Sequence, residues 1–208
     1  MKLFFKRCLI LFFLNSGLTV FCQEDQKEWP AYYFDVLGNL KIGMVLPNSD
    51  GDNFLSDGYE TNFGLHLEGK VFVHRKIALG LQYQFYKGNV TDQSLVGAFD
   101  SSIISHGLLF GIYNFFNSKS RFALETGLGS GFIRLRNKKE GFPRFTDSGF
   151  SIAVMAEVSY RFNKSIGAYI QFQNNWSFLS IEASKEIRND FNSTRIFSPS
   201  FGLKFYIL

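Results

Sequence analysis

Residues 62–73 read NFGLHLEGKVFV and residues 77–86 read IALGLQYQFY, and both stretches alternate apolar with small or polar side chains. In the first stretch, Phe63, Leu65 and Leu67 fall on one face and their polar or glycine neighbours fall on the other. A period of two residues is typical of a β-strand that has one apolar and one polar face. The two stretches, separated by a short polar connection, therefore predict a β-hairpin.

The same alternation recurs along the chain after residue 35. We predict eight strands of about ten residues each, the length that a tilted strand needs to cross a bilayer. Short turns are expected after strands two, four and six, at 74–76, 117–120 and 163–165. Long polar connections are expected after the odd-numbered strands, at 47–61, 87–102, 136–149 and 179–195. Short periplasmic turns and long extracellular loops are typical of bacterial outer-membrane barrels.

The volume of the apolar side chains decides which face of the strands points outward. An eight-stranded barrel has an interior only wide enough for side chains to fill, yet the apolar face carries about 30 bulky residues. We therefore expect this face to contact lipid, and Gly, Ala, Ser, Gln and a few charges to fill the lumen. A soluble barrel with an apolar interior is the alternative that this volume excludes. The predicted fold class is all-β, an eight-stranded antiparallel up-and-down transmembrane β-barrel.

The N-terminal residues have the composition of a secretory signal peptide. Three basic residues precede an apolar run, and the chain turns polar at Gln23, so we predict cleavage after Cys22. The alternative is a lipoprotein signal with an acylated Cys22, but Phe21 is bulkier than the residue that such signals usually carry there. The predicted organisation is a signal peptide at 1–22, a short periplasmic segment at 23–34 and an outer-membrane barrel at 35–208.

Removal of this signal changes the overall chemistry of the chain. The net charge of +4 falls to about +1, which gives no indication of a nucleic-acid partner. The two cysteines, Cys8 and Cys22, are both removed, so the exported protein is expected to have no disulfide bond. We predict that the protein is located in the outer membrane of a Gram-negative bacterium after Sec export.

The last strand carries a polar, glycine, aromatic and hydrophobic spacing at Ser200, Gly202, Phe205 and Ile207. This spacing resembles the C-terminal signal that the barrel-assembly machinery reads. From about Asp35 to Leu208 the chain resembles small outer-membrane barrels of the OmpX and OmpA-transmembrane-domain type, within the wider porin-like outer-membrane β-barrel family. That family usually ends in an aromatic residue, whereas this chain ends in Leu208. The resemblance implies this architecture and assembly by that machinery, but barrels of this kind differ widely in role.

Charged residues are expected inside the barrel at Lys41, Glu68, Lys70, Glu125, Glu157, Arg161 and Lys204. Buried charges are tolerated when they are paired, so we interpret these residues as a salt-bridge network that plugs the lumen. Glu125 and Arg161 are the expected pair, and His66 is expected to join the network. A proton or ion path through the lumen is the alternative.

One histidine gives a hypothesis of catalysis. Its parity predicts that His106 faces lipid, with Ser130 or Phe132 opposite on the next strand. A histidine that activates a serine hydroxyl on this face would be similar to outer-membrane deacylases that act on lipopolysaccharide. No carboxylate on this face would orient the imidazole, so we predict no catalytic residues and a chain that is not an enzyme. A lipid A-modifying enzyme remains an alternative function.

The predicted loops carry the remaining candidate residues. The third loop is basic, at Arg134, Arg136, Lys138, Lys139 and Arg144. These side chains would contact lipopolysaccharide phosphates or an acidic partner, and the alternative is an ordinary solvated loop. The first loop is rich in carboxylates, but its spacing breaks the EF-hand pattern, so we predict no metal site. No nucleotide or metal motif indicates a cofactor.

These features together predict a structural or interaction role through four extracellular loops, in envelope integrity, adhesion or service to a secretion apparatus. The expected partners are outer-membrane lipid and lipopolysaccharide, the barrel-assembly machinery during biogenesis, and an extracellular or secretion-system protein. A small-solute pore is a further alternative.

Overall fold

The structure is a computed structural model that describes residues 36–51, 53–74, 76–115, 120–141, 143–180 and 193–207. The predicted signal peptide at 1–22 and periplasmic segment at 23–34 lie outside the described residues. No described helix has the length and the apolar character that crossing a membrane requires.

The described part of the chain is almost entirely β-strand, with two short helices near one end of the strands. In chain order, the elements are β1 (Gly38–Val45), β2 (Asn48–Asp50), α1 (Phe54–Gly58), β3 (Tyr59–His74), β4 (Ile77–Val90), α2 (Gln93–Val96), β5 (Ser101–Asn114), β6 (Phe122–Lys138), β7 (Phe145–Arg161), β8 (Ile166–Leu179), β9 (Ser193–Phe197) and β10 (Ser200–Ile207).

The strands form a closed antiparallel ring. β1 pairs with β3, each strand from β3 to β8 pairs with the next, and β8 also pairs with β10. The seam closes where β1 pairs with β10 and β2 pairs with β9. The first wall strand consists of β1 and β2 and is interrupted next to Pro47, and the last consists of β9 and β10 and is interrupted next to Pro199. Proline has no N–H to donate to a ladder, which explains both interruptions. The predicted fold class, an eight-stranded antiparallel up-and-down β-barrel, is confirmed.

The strand register sets the stagger of the barrel. Starting at Lys41 and following paired residues through β3 to β9, one circuit of the wall ends at Thr194. The partner of Lys41 on the last strand is Lys204, ten residues beyond Thr194. This stagger tilts the strands and closes a barrel so narrow that side chains fill its interior.

The strands are longer than the sequence predicts. The strands from β3 to β8 contain 14 to 17 residues, whereas about ten were expected. The second and third long connections shrink to 91–100 and 139–144, because β4 to β7 continue into the predicted loops. The predicted bounds of these two loops are therefore wrong, and the connections that remain are ten and six residues long.

An apolar band encircles the outside of the barrel. On β4, Leu79, Leu81 and Tyr83 are 46%, 67% and 41% exposed, whereas the intervening Gly80 and Gln82 are buried. The same outward apolar face occurs on β1, β3, β7, β8 and β10. The predicted orientation of the alternating pattern is therefore correct on most of the wall.

On β5 the orientation that follows from the parity of His106, with the even-numbered residues facing lipid, is wrong. Leu108, Phe110 and Ile112 point into the lumen, where each is at most 3% exposed, while Leu109 faces outward and is 57% exposed. Apolar residues occupy both faces of this strand, so its pattern does not specify which face is buried.

Glycines on the neighbouring strands explain the inward packing of β5. A Cβ atom at Gly129 would lie 2.7 Å from the Phe110 ring, and one at Gly80 would lie 2.9 Å from Ile112 Cδ1. The absence of side chains at these glycines leaves room for the bulky side chains of β5. These side chains pack with Ala78, Ala153 and Met155 as an apolar cluster inside the barrel.

Candidate functional site: a filled lumen and a basic outer wall

Six charged residues form one ion network inside the barrel: Lys41, Glu68, Lys70, Glu125, Glu157 and Lys204. Each is at most 2% exposed. The Lys41 ammonium lies 2.6 Å from a Glu68 carboxylate oxygen and also contacts Glu157. Lys204 lies 2.8 Å from Glu157 and 3.4 Å from Glu125, and Lys70 also contacts Glu125. Three lysines thus neutralise three glutamates.

The network depends on the closed barrel, because like charges are neighbours in the wall. Lys41 and Lys204 are directly opposite each other on β1 and β10, at the closing seam. Glu125 and Glu157 are paired in the same way on β6 and β7. Like charges on adjacent strands repel, so the lysine pair depends on Glu68, the partner of Lys41 on β3, and on Glu157 and Glu125, which reach it across the lumen.

Two predictions about this network need correction or refinement. The predicted pairing of Glu125 with Arg161 is wrong, because the register places Arg161 opposite Arg121, four residues from Glu125. Arg161 instead donates to the Asn163 and Lys164 carbonyls, and its guanidinium lies 4.3 Å from the Tyr206 ring centroid. His66 lies at the edge of the network, with its Nε2 3.9 Å from Glu68.

Above the ion network the lumen contains a chain of amide side chains. Gln84 lies 3.2 Å from His66 Nδ1 and 3.4 Å from Gln173. Gln173 accepts from Gln171 at 2.9 Å and donates to Asn175 at 2.7 Å. The predicted polar filling of Gln, Ser and charge is therefore present on this side of the lumen.

Beyond the amides, at the end that carries α1 and α2, the interior becomes apolar. Phe54 and Leu55 of α1 are 5% and 0% exposed, because this helix lies inside the mouth of the barrel. Asn53 caps the helix by accepting from the Leu55 and Ser56 amides. The mouth cluster contains Val45, Phe54, Leu55, Tyr59, Tyr86, Ile104, Ile133, Leu135, Leu179 and Ile196. The alternation of the sequence does not predict this apolar filling at the mouth of the lumen.

The two residues of the catalytic hypothesis lie on opposite sides of the wall. His106 is 0% exposed and points into the lumen, where its ring centroid lies 6.1 Å from that of Tyr86. Ser130 is exposed on the outside and pairs with Leu109, while the partner of His106 on β6 is Ile133. The prediction that His106 faces lipid is therefore wrong, for the same reason that the assignment of β5 is wrong.

The basic residues assigned to the third loop lie mainly on the barrel wall. Arg134, Arg136 and Lys138 alternate along the outward face of β6, and only Lys139 and Arg144 lie in the connection that follows. Lys87 on β4 also points outward, and it pairs with Ile103, whose partner on β6 is Arg136. Sequence reasoning missed Lys87 because it was placed in a loop, although its alternation with Phe85 indicates the outward face.

The remaining candidate residues occupy separate places. In the assembly-signal motif, Ser200 points inward and is 1% exposed, whereas Ile207 points outward and is 43% exposed. Gly202 lies opposite Gly43, and Phe205 lies opposite Leu40. Among the described residues, no three His, Cys, Asp or Glu side chains gather in a way that would hold a metal ion. Asp52 of the acidic first loop lies outside the described residues.

Comparison with known proteins identifies the fold. No protein-family model matches the chain. No curated protein matches its sequence significantly. Neisserial surface protein A (NspA) superposes with a TM-score of 0.63 at 12% identity, covering 82% of this chain and 97% of that structure.

Two further solved structures agree. The outer membrane protein OprG from Pseudomonas aeruginosa gives a TM-score of 0.53 at 14% identity, covering 83% of this chain and 97% of its own. Ail, the attachment invasion locus protein of Yersinia pestis, gives 0.52 at 11% identity, covering 82% and 97%. The chain therefore has the fold of the small eight-stranded outer-membrane β-barrel proteins.

Proposed function

We propose that this protein is a sealed barrel in the outer membrane of a Gram-negative bacterium, with a structural or interaction role carried by its outer wall and extracellular loops. The filled lumen is the observation that carries this proposal. The ion network, the amide side chains, the apolar cluster around Phe110 and the mouth cluster together fill the interior. A solute that entered from either end would have to displace buried ion pairs or apolar side chains.

The apolar band supports residence in a membrane. Exposed Leu, Ile, Phe and Val side chains cover the outside of the strands, and a closed barrel leaves no unpaired strand edge in hydrocarbon. Export with loss of residues 1–22 and recognition of the last strand by the barrel-assembly machinery are part of the proposal.

The filled lumen favours this proposal over a small-solute pore. The lipid A-modifying alternative loses its suggested His106–Ser130 pair, because the two side chains are separated by the barrel wall. Within the described ranges, the candidate interaction surfaces are the connections at 91–100 and 139–144 and the basic outer wall. We expect an extracellular protein or a component of a secretion apparatus to bind at these surfaces.

Conductance measurements test the sealed lumen. We expect the full chain to produce no single-channel current in planar bilayers after insertion has been verified by the faster mobility of unboiled protein on a gel. The triple variant Lys41→Ala, Lys204→Ala, Leu55→Asp should conduct if it folds, because Glu68 and Glu157 lose their lysine partners and the apolar contacts of the mouth cluster are broken at the other end. Steady ion current through the unmodified protein would refute a sealed barrel.

Loop replacement tests the interaction role. Replacing 91–100 and 139–144 with short turns should leave insertion and heat-modifiable mobility unchanged while removing binding to the cell surface or partner that the unmodified protein contacts. Unchanged adhesion and unchanged co-purifying proteins in this variant would contradict a role of these loops.

A further inference from the structure

The outward cations of β4 and β6 form a compact patch directly above the apolar band. We define the basic patch as Lys87, Arg134 and Arg136. Lys87 and Arg136 are both register partners of Ile103, so their Cα atoms are about 10 Å apart across two strand spacings. Arg134 and Arg136 are two residues apart on the same face of β6, or about 7 Å. Three positive charges thus surround one half-exposed isoleucine.

The patch lies at the boundary between apolar and polar wall. Phe85 and Phe132 are the last outward aromatic residues of β4 and β6, and Lys87 and Arg134 follow each by two positions. The Arg134 guanidinium lies 5.7 Å from the Phe132 ring centroid. An arginine that stacks on a lipid-facing ring lies at headgroup depth.

No carboxylate neutralises these cations on the wall. The acidic residues within β4 to β7 are Glu125, Asp147 and Glu157, and all three are buried on the lumen side. No ion pair joins Lys87, Arg134 or Arg136 to another residue of the described chain. Asp100 and Glu140 lie at the tips of the wall, where an Asp100 carboxylate oxygen accepts from the Glu140 amide at 3.0 Å. Glu60 on β3 is exposed and pairs in the register with Asn89, two residues beyond Lys87, but no ion pair joins the Glu60 and Lys87 side chains. The three cations of the basic patch therefore have no ion-paired carboxylate among the described residues.

Hydroxyl groups complete the surroundings of the patch. Ser148 and Thr146 on β7 are exposed and pair with Arg134 and Arg136 in the register. Guanidinium groups bind phosphate oxygens with paired N–H donors, and nearby hydroxyls add further donors. The patch thus offers several donors to a phosphate that approaches sideways from the bilayer.

We propose that the basic patch binds the phosphate groups of the lipid A glycolipid in the outer leaflet. The proposal rests on the proposed membrane location, which places this end of the barrel outside because the short turns lie at the other end. A lipid headgroup fits better than a soluble anion, since the cations project sideways at the upper edge of the apolar band. Binding would leave the acyl chains against Phe85, Phe132 and Leu109.

The experiment compares two variants of the full chain, purified from the outer membranes of a Gram-negative host. The first, Lys87→Gln, Arg134→Gln, Arg136→Gln, removes the patch. The control, Lys76→Gln, Lys164→Gln, removes two exposed lysines at the end of the wall that carries the short turns. Native mass spectrometry measures binding of bisphosphorylated lipid A, dephosphorylated lipid A and phosphatidylglycerol to each protein in detergent.

The affinity for bisphosphorylated lipid A should fall about 100-fold in the patch variant, at about fivefold per cation, and less than threefold in the control. The dephosphorylated lipid should bind the unmodified protein weakly. A patch variant within threefold of the unmodified protein, or an equal loss in the control, would overturn the site. If phosphatidylglycerol binds the unmodified protein as tightly as bisphosphorylated lipid A does, and loses the same affinity in the patch variant, the assignment to lipid A is overturned. The gel mobility of unboiled protein and the absence of current in planar bilayers test the proposed sealed barrel independently of lipid A binding.

Discussion

Lys204 contacts more polar groups than any other lysine of the ion network, so its removal gives the sharpest test of how the lumen is held together. Its ammonium lies 2.8 Å from Glu157, 3.4 Å from Glu125 and 3.1 Å from the Ser159 hydroxyl. Lys204→Met would leave two lysines facing three buried glutamates. Breaking a buried ion pair by removing one partner costs about 3 to 5 kcal/mol, because a charge remains without compensation.

A second substitution separates loss of charge balance from loss of packing. In the double variant Lys204→Met, Glu157→Gln, two lysines again face two glutamates, with Lys41 beside Glu68 and Lys70 beside Glu125. We expect it to recover at least half of the lost stability. The matched control Lys76→Met removes an exposed lysine and should change stability by less than about 1 kcal/mol.

Urea titration of the barrel in lipid vesicles measures these free energies, with the folded fraction taken from the mobility of unboiled protein. If Lys204→Met lowers the free energy of unfolding by less than about 1 kcal/mol, the ion network does not stabilise the barrel. The same conclusion follows if adding Glu157→Gln lowers stability further, since restored charge balance would then be irrelevant.

Three further predictions address the wall and the mouth. A nitroxide label at residue 109 should be relaxed by oxygen in the bilayer and one at residue 108 should not, because Leu109 is 57% and Leu108 1% exposed. The reverse result would show that Leu108 faces lipid, as the alternation of the sequence predicts. Gly43→Val should block barrel closure, because a Cβ atom there would clash with the Phe201 carbonyl and the Tyr169 hydroxyl. Gly69→Ala should fold normally, because the nearest atom to its Cβ would be 3.5 Å away. Equal heat-modifiable mobility of the two variants would contradict this. Leu55→Asp should expel α1 from the mouth, and limited proteolysis should then cut near residue 55 while the strands stay protected. The control is Asp57→Asn, at an exposed position. If the Leu55→Asp variant is not cut, the position of α1 does not depend on apolar burial.

The sequence predicts most of the barrel because strand alternation is a local property. On β3, β4, β7 and β8 one face is consistently apolar and the other small or polar, so only one orientation buries the polar side chains. The membership of six charges in one network also followed from their parity. Their pairing did not, because it depends on which strands are opposite one another across the closed lumen.

The prediction fails on β5 and in the assumed loops. The segment from Leu108 to Tyr113 has apolar residues on both faces, so alternation alone does not orient it. The missing information is the vacant volume beside Gly80 and Gly129 on the neighbouring strands, which only the register reveals. The sequence also places Lys87 and the β6 arginines in loops, because polar residues after an alternating stretch predict the end of a strand.

The sequence by itself determined that the chain forms eight antiparallel strands with an apolar outer face, since a period of two and the excess of bulky side chains allow no narrow barrel with that face inside. Only the tertiary structure decided which lysine neutralises which glutamate, that α1 fills the mouth, and that unpaired cations meet above the apolar band. These features arise between residues far apart in the chain, and the stagger of the closed ring determines which of them become neighbours.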